Sequence, residues 1–205
     1  MNDLTKRILT SVILLPLVIY FIFMGSFYLK FLIAICFLIA SFEWYNIVKK
    51  KIYKLIGFIF LIFSFYSFYE LSIEYIVIVP LFICISTDIG GYVFGKTFKG
   101  PKLTRISPNK TYAGMIGGYL LSLLFIYLYL NYNNQDVVIG WFILTIIISS
   151  VSQIGDIIIS YFKRLSKIKN TGSFLPGHGG LLDRIDGMIF ALPTFYLINL
   201  TSFTI

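Results

Sequence analysis

Residues 178–187 read HGGLLDRIDG and place the chain's single histidine, His178, two carboxylates, Asp183 and Asp186, and Arg184 directly before an apolar run. Asp183 and Asp186 stand three residues apart, so at a helix start both carboxylates lie on one face about one turn apart. Two acids so close repel unless a cation lies between them or basic neighbours offset the repulsion. Placement at a helix N-terminus, where negative charge is stabilised by about 0.3–1 kcal/mol, would account for the acids alone. It does not account for their company. Gly179 and Gly180 let backbone N–H groups approach an anion, and oxygen ligands near phosphates are what Mg²⁺ prefers. His178, weak evidence by itself, is expected to touch a phosphate or to position the loop.

A third carboxylate lies in SSVSQIGDIIISYFKR. On a helix Ser149, Ser152, Asp156, Ser160 and Lys163 follow at three- or four-residue steps and form one polar stripe on an apolar rod. Hydrogen bonding between helices, with Asp156 in a structural ion pair, is one reading of the stripe. The other is that it leads Asp156, Lys163 and Arg164 to a shared site near the cytoplasmic face. A second polar segment, TDIGGYVFGKTFKGPKLTRISPNKTYAGMIGG, contains Asp88 and a run of cations. Ser107 followed by Pro108 reads as an N-cap with proline at the first helical position, which puts Lys110 and Thr111 in a first turn suited to phosphate oxygens. Attraction to anionic headgroups would explain Lys99 or Lys102 better than the ordered SPNKT. Gly114, Gly117 and Gly118 are expected to serve close helix packing. Glu43, beside Trp44 and Tyr45, is expected at the membrane interface and outside the site.

The elements that must position these groups are membrane helices. The 205-residue chain is 58% hydrophobic and 13% charged, far from the balance of a soluble domain. Several apolar runs reach the roughly 20 residues needed to cross about 30 Å of hydrocarbon. No sustained polar–apolar alternation marks barrel strands. The expected fold is an all-α, polytopic helical bundle, with about seven spans at 8–24, 28–48, 52–69, 73–94, 112–130, 137–162 and 185–201. One integral membrane domain covers residues 1–205, with residues 8–72 as N-terminal spans and 73–205 carrying the catalytic motifs on cytoplasmic loops. The first span, lacking a small-residue cleavage site, is expected to be retained rather than removed as a signal peptide. Alternating the loops places every basic residue except Lys30 on one side, which predicts an N-terminus in the cytoplasm. Cys36 and Cys84 lie in separate apolar runs, so a packing role is expected and neither zinc nor a disulfide framework is indicated. No Walker A motif, dinucleotide fingerprint or Ser/His/Asp set appears.

The string SQIGDIIISYFKRLSKIKNTGSFLPGHGGLLDRIDG, residues 152–187, resembles the signature of the phosphatidate cytidylyltransferases, also called CDP-diacylglycerol synthases. The resemblance extends upstream to DIGGYVFGKTFKG and ISPNKTYAG, so it covers about residues 86–190. It implies an integral enzyme of the cell (inner) membrane, active site facing the cytoplasm, that joins CTP to phosphatidic acid and releases pyrophosphate. By position it makes Asp156, Asp183 and Asp186 metal or active-site acids. Lys163, Arg164, His178 and Arg184 become catalytic residues. Ser160, Gly179 and Gly180, with Asp88, Ser107, Lys110 and Thr111 from the earlier loop, become substrate-binding residues. The chain departs from the family's usual pattern at Ala113 and Asn170, where a carboxylate is common. The implied cofactor is one or two Mg²⁺ ions, with room for a monovalent ion. The implied partners are CTP, phosphatidic acid and bilayer lipid, with no nucleic acid; a homodimer is compatible.

The electrostatics of that reaction agree with the residues. A phosphate monoester with a second pKa of about 6 is already largely dianionic at neutral pH, so the nucleophile needs no strong base. The obstacle is repulsion from a triphosphate during in-line displacement. Two ions about 3.5–4 Å apart, held by Asp156, Asp183 and Asp186, would neutralise attacking and leaving oxygens, and one ion is nearly as compatible. Lys110, Lys163, Arg164 and Arg184 would hold the remaining charge. A CTP-dependent lipid kinase and a transporter with an intramembrane carboxylate are the rival readings. A CDP-alcohol phosphotransferase is disfavoured because no Asp-Gly-x-x-Ala-Arg segment is present.

Overall fold

A computed structural model of the chain describes residues 16, 18–21, 23–174 and 179–201. Seven helices are named here: α1 (Ser26–Ile47), α2 (Lys51–Ile73), α3 (Ile78–Phe98), α4 (Tyr112–Tyr132), α5 (Ile139–Leu165), α6 (Leu182–Ile185) and α7 (Met188–Leu200). The first five are long and apolar enough to cross a membrane, so the fold is that of an integral membrane helical protein. Most of the expected span 8–24 and all of His178 lie outside the described residues. The expected seventh span differs. Its apolar run forms α7, only 13 residues, preceded by the four-residue α6. At about 1.5 Å per residue α7 covers about 20 Å, short of the hydrocarbon thickness.

Two compact units divide the chain. One takes the residues up to Tyr75 together with Tyr161–Asp186; the other takes Ile76–Ser160 and Gly187–Ile205. In the first unit α1 and α2 pack through aromatic rings, with Phe37 lying 5.6 Å from Phe58 and 5.8 Å from Phe65. Trp44 sets its ring 4.9 Å from Phe162 and points its indole N–H at the Tyr53 and Lys54 carbonyls, 3.3 Å from each. Ser166 donates to the Ile47 carbonyl, so the end of α5 is tied to the end of α1.

The second unit is built on close contact between α3 and α4. A Cβ added to Gly90 would lie 2.8 Å from the Gly117 carbonyl carbon and 3.0 Å from the Gly118 Cα, and one added to Gly114 would lie 2.7 Å from the Gly91 oxygen. Small residues allow this approach where lipid supplies no hydrophobic drive for helix association. Buried hydroxyls add directionality. Thr87 donates to Ser149 at 2.8 Å, and Tyr119 and Ser150 share a 2.8 Å hydrogen bond. Ser149, Ser152 and Ser160 of the α5 stripe are buried, as polar groups on a membrane rod require.

Candidate active site

In the second unit the segment between α3 and α4 folds back on itself. The Leu103 N–H donates to the Lys110 carbonyl at 2.8 Å and the Tyr112 N–H to the Pro101 carbonyl at 3.2 Å, around an isolated antiparallel bridge between Lys102 and Thr111. Ser107 and Pro108 occupy the turn of this fold-back, where the Lys110 N–H donates to the Ser107 carbonyl at 3.0 Å. The expected helix start at Ser107 is therefore corrected. A Ser-Pro pair suits the first two positions of a β-turn as well as it suits an N-cap, and the bridge to residues 101–103 selects the turn. The helix begins at Tyr112, with Thr111 as N-cap accepting the Gly114 N–H at 3.0 Å.

Lys110, delivered by that fold-back, forms an ion pair with Asp156 of α5. The other Asp156 oxygen accepts from the Ser160 hydroxyl at 3.3 Å, one turn along α5. Thr87, Asp88, Asn109, Lys110, Gln153 and Asp156 line one cleft of about 180 Å³, with Thr111 also on its wall. The side chains of Lys110 and Asp156 are 23% and 31% exposed, so the pair is reachable from solvent. An ion pair so placed contributes at most about 1 kcal/mol and is easily redirected to an arriving anion. Ser107 is not among the residues lining the cleft.

In the first unit Lys163 and Asp183 form a different kind of pair. Lys163 Nζ donates to Asp183 Oδ1 at 2.8 Å, with side chains only 10% and 8% exposed. Asp183 Oδ2 accepts the backbone N–H groups of Thr171 at 2.7 Å and Gly180 at 3.0 Å. The backbone N–H of Gly180 thus does meet an anion, and the anion is Asp183 itself. Gly179 has φ of +87°, and a Cβ there would lie 2.9 Å from Asp183 Oδ2. Before this loop α5 ends in a Schellman motif. The Ile168 N–H donates to the Lys163 carbonyl and the Lys167 N–H to the Arg164 carbonyl, each at 3.0 Å, with Lys167 left-handed at φ 57°. Arg164 is exposed and donates to the Ile168 carbonyl at 3.1 Å. Arg184 is exposed and Asp186 half-buried.

Two residues of this unit escaped the sequence reading. Glu43, read as an interfacial residue, is 3% exposed and accepts three hydrogen bonds, and Thr171 is buried beside it as one of the donors. The available signal was the acid itself, since an ionisable group inside an apolar span marks a site by default.

The arrangement can therefore bind anions at a solvent-reachable lysine, hold a hard cation on carboxylate oxygens, and fix a buried lysine through a fully engaged aspartate. The profile of the cytidylyltransferase family matches residues 52–201, which include every one of the groups just described except Glu43. The chain is 40% identical over 172 residues to a phosphatidate cytidylyltransferase of Rickettsia prowazekii (strain Madrid E), covering 77% of this chain and 75% of that protein. It is 36% identical to that of Rickettsia typhi (strain ATCC VR-144 / Wilmington) over 97% of this chain and 93% of the other. It is 37% identical to that of Staphylococcus aureus (strain COL) over 85% and 70%. With the profile spanning the cleft, the buried pair and the residues between Thr171 and Gly180, and with a relative aligned along nearly the whole chain, the protein belongs to the cytidylyltransferase family.

Proposed function

We propose that the chain transfers a cytidylyl group from CTP to phosphatidic acid, giving CDP-diacylglycerol and pyrophosphate at the cytoplasmic face of the cell membrane. A phosphate oxygen of phosphatidic acid attacks the α-phosphorus of CTP, and the bond to the β-phosphate's bridging oxygen breaks as pyrophosphate departs. The observation that carries the reading is the Lys110–Asp156 pair in a polar cleft of an otherwise apolar helical unit. It joins to the names of the relatives, each a phosphatidate cytidylyltransferase. The CTP-dependent kinase and transporter readings draw no support from those relatives. The cytoplasmic orientation rests on the segregation of basic residues.

The residues present fit a divalent ion. Asp88 and Asp156 bring two carboxylates to one cleft with the oxygens of Thr87, Asn109 and Gln153. Mg²⁺ is commonly held by one or two carboxylates with substrate phosphates completing its shell. Among the described residues no group of three or more His, Cys, Asp or Glu is placed to hold a metal ion, so the expected ligand set of Asp156, Asp183 and Asp186 is not proposed as one cluster. Such an ion supplies charge neutralisation at the attacking and leaving oxygens.

The chain's own residues then divide the work. Lys110 exchanges Asp156 for a triphosphate oxygen, and Asp156 is one of the residues that would hold a cation. Ser160 keeps that carboxylate oriented through the hydrogen bond to its other oxygen. Asp183, with three donors on its two oxygens, orients Lys163 and ties Thr171 to Gly180. Lys163, Arg164, His178 and Arg184 are the residues that the family resemblance assigns to neutralising substrate phosphate. A second ion would draw on Asp186. The test is release of pyrophosphate by the purified protein in lipid vesicles, dependent on CTP, phosphatidic acid and Mg²⁺ together. Release without phosphatidic acid, or undiminished by excess chelator, contradicts the reading.

A further inference from the structure

Glu43 is the single acid of α1, and none of the roles above uses it. Its Oε1 accepts the Leu181 N–H at 2.9 Å, and its Oε2 accepts the Thr171 hydroxyl and the Leu182 N–H, each at 2.8 Å. These donors lie 128 to 139 residues further along the chain. Burying a carboxylate is costly unless its oxygens are satisfied, so this placement is held in the fold only by the donors around it. The donors also share a position. Thr171 precedes and Gly180–Leu182 follow the segment 172–179 in the sequence. Asp183 bridges the same two ends through the Thr171 and Gly180 N–H groups. Gly180 is tightly enclosed, because a Cβ there would overlap the Thr171 hydroxyl and the Glu43 carboxylate. The Leu181 and Leu182 N–H groups belong to the start of α6, where no intrahelical acceptor exists. Glu43 thus fixes the helix start that carries Asp183, and Asp183 in turn holds Lys163.

We propose that Glu43 is a positioning residue for cytidylyl transfer: from α1 its carboxylate clamps Thr171 to the first turn of α6, and so sets the orientation of Asp183 and Lys163. This rests on the reading of the chain as a cytidylyltransferase acting on phosphatidic acid. Glutamine cannot replace the acid. With its single oxygen toward Leu182 and Thr171 its NH₂ faces the Leu181 N–H, and with the oxygen toward Leu181 its NH₂ faces the Leu182 N–H. Either way one backbone donor meets a donor.

The test uses the full-length protein in vesicles containing phosphatidic acid. Glu43→Gln is expected to lower kcat by about 10- to 100-fold, the loss that a misplacement of about 1 Å produces. KM for CTP is expected to stay within about threefold, because both Glu43 oxygens are taken by Thr171, Leu181 and Leu182 and are not offered to substrate. Thr171→Val is expected to lower kcat, Thr171→Ser to restore it, and Thr171→Val to add little in the Glu43→Gln background, since both changes act through one clamp. In parallel, trypsin cleavage after the exposed Lys167 and Lys169 is expected to accelerate roughly tenfold in Glu43→Gln. Parental kcat in Glu43→Gln overturns the proposal, whether or not cleavage accelerates. So does a rise in KM with kcat unchanged, which would make Glu43 a binding element. If Glu43→Gln does not fold, the Thr171→Val and Thr171→Ser pair decides. If the parent protein shows no phosphatidate-dependent turnover, the functional reading falls, while unaltered cleavage in Glu43→Gln removes the clamp independently.

Discussion

Replacing Asp183 with Asn keeps the side chain's size and removes one acceptor oxygen. The remaining oxygen can serve the Thr171 and Gly180 N–H groups, now 2.7 and 3.0 Å from Oδ2, or it can serve Lys163, 2.8 Å from Oδ1, but not both. Serving the backbone leaves an amide NH₂ against an ammonium that is 10% exposed. Breaking a buried ion pair by removing one partner costs about 3–5 kcal/mol, because the other charge stays buried and unpaired. For a chain of this length each kcal/mol moves the unfolding midpoint by roughly 2–4 °C, so Asp183→Asn is expected to unfold roughly 6–20 °C below the parent. The magnitude has a sharper check in the double variant Lys163→Met/Asp183→Asn. There the Asn oxygen serves both backbone donors and its NH₂ faces a thioether instead of a cation, so most of the lost stability returns. Neither variant is expected to turn over CTP. The assay is thermal unfolding in lipid nanodiscs followed by tryptophan fluorescence, with Trp44 packed 4.9 Å from Phe162 as a reporter in the same unit. An Asp183→Asn midpoint equal to the parent's, or a double variant no more stable than the single one, refutes the assignment of Asp183 as the anchor of Lys163.

The Lys110–Asp156 pair should behave oppositely. Asp156→Asn is expected to cut kcat by about 100-fold or more while changing stability by less than about 1 kcal/mol, because its side chain is 31% exposed. Steady-state rates and unfolding midpoints measured on the same preparation check both halves. Neighbouring glycines on α3 should differ as well. A Cβ at Gly90 would overlap the Gly117 carbonyl oxygen of α4, whereas one at Gly91 finds its nearest atom at 3.8 Å. Gly90→Ala is expected to cost about 1–3 kcal/mol by overpacking and Gly91→Ala almost nothing, as unfolding midpoints will read. Chelation of divalent ions is expected to abolish transfer and Mg²⁺ to restore it, with helix content by circular dichroism unchanged throughout.

The membrane helices were legible in the sequence because span length is set by the bilayer, and the expected 112–130 and 137–162 fall on α4 and α5 to within three residues at each end. The α5 stripe was legible for a similarly local reason: steps of three and four residues put Ser149, Ser152, Asp156, Ser160 and Lys163 on one face whatever they meet. Partners were not legible in this way. That Lys110 meets Asp156, or that Glu43 meets Thr171, depends on contacts between distant segments, for which the local pattern holds no register. Glu43 was misplaced because Trp44 and Tyr45 beside it imitate an interfacial belt, when in fact Trp44 is buried against Phe162. The start of α4 was misread because Ser107–Pro108 is a sound helix signal and an equally sound turn signal; only the bridge between Lys102 and Thr111 separates the two.

The most direct measurement of the account follows CTP labelled separately at its α- and γ-phosphates in vesicles that contain the protein and phosphatidic acid. The α label is expected to enter the lipid phase while the γ label leaves as pyrophosphate, in equal amounts, and Asp156→Asn is expected to stop both. Transfer of the γ label to lipid with release of CDP, or an α label that stays in the aqueous phase, would contradict it.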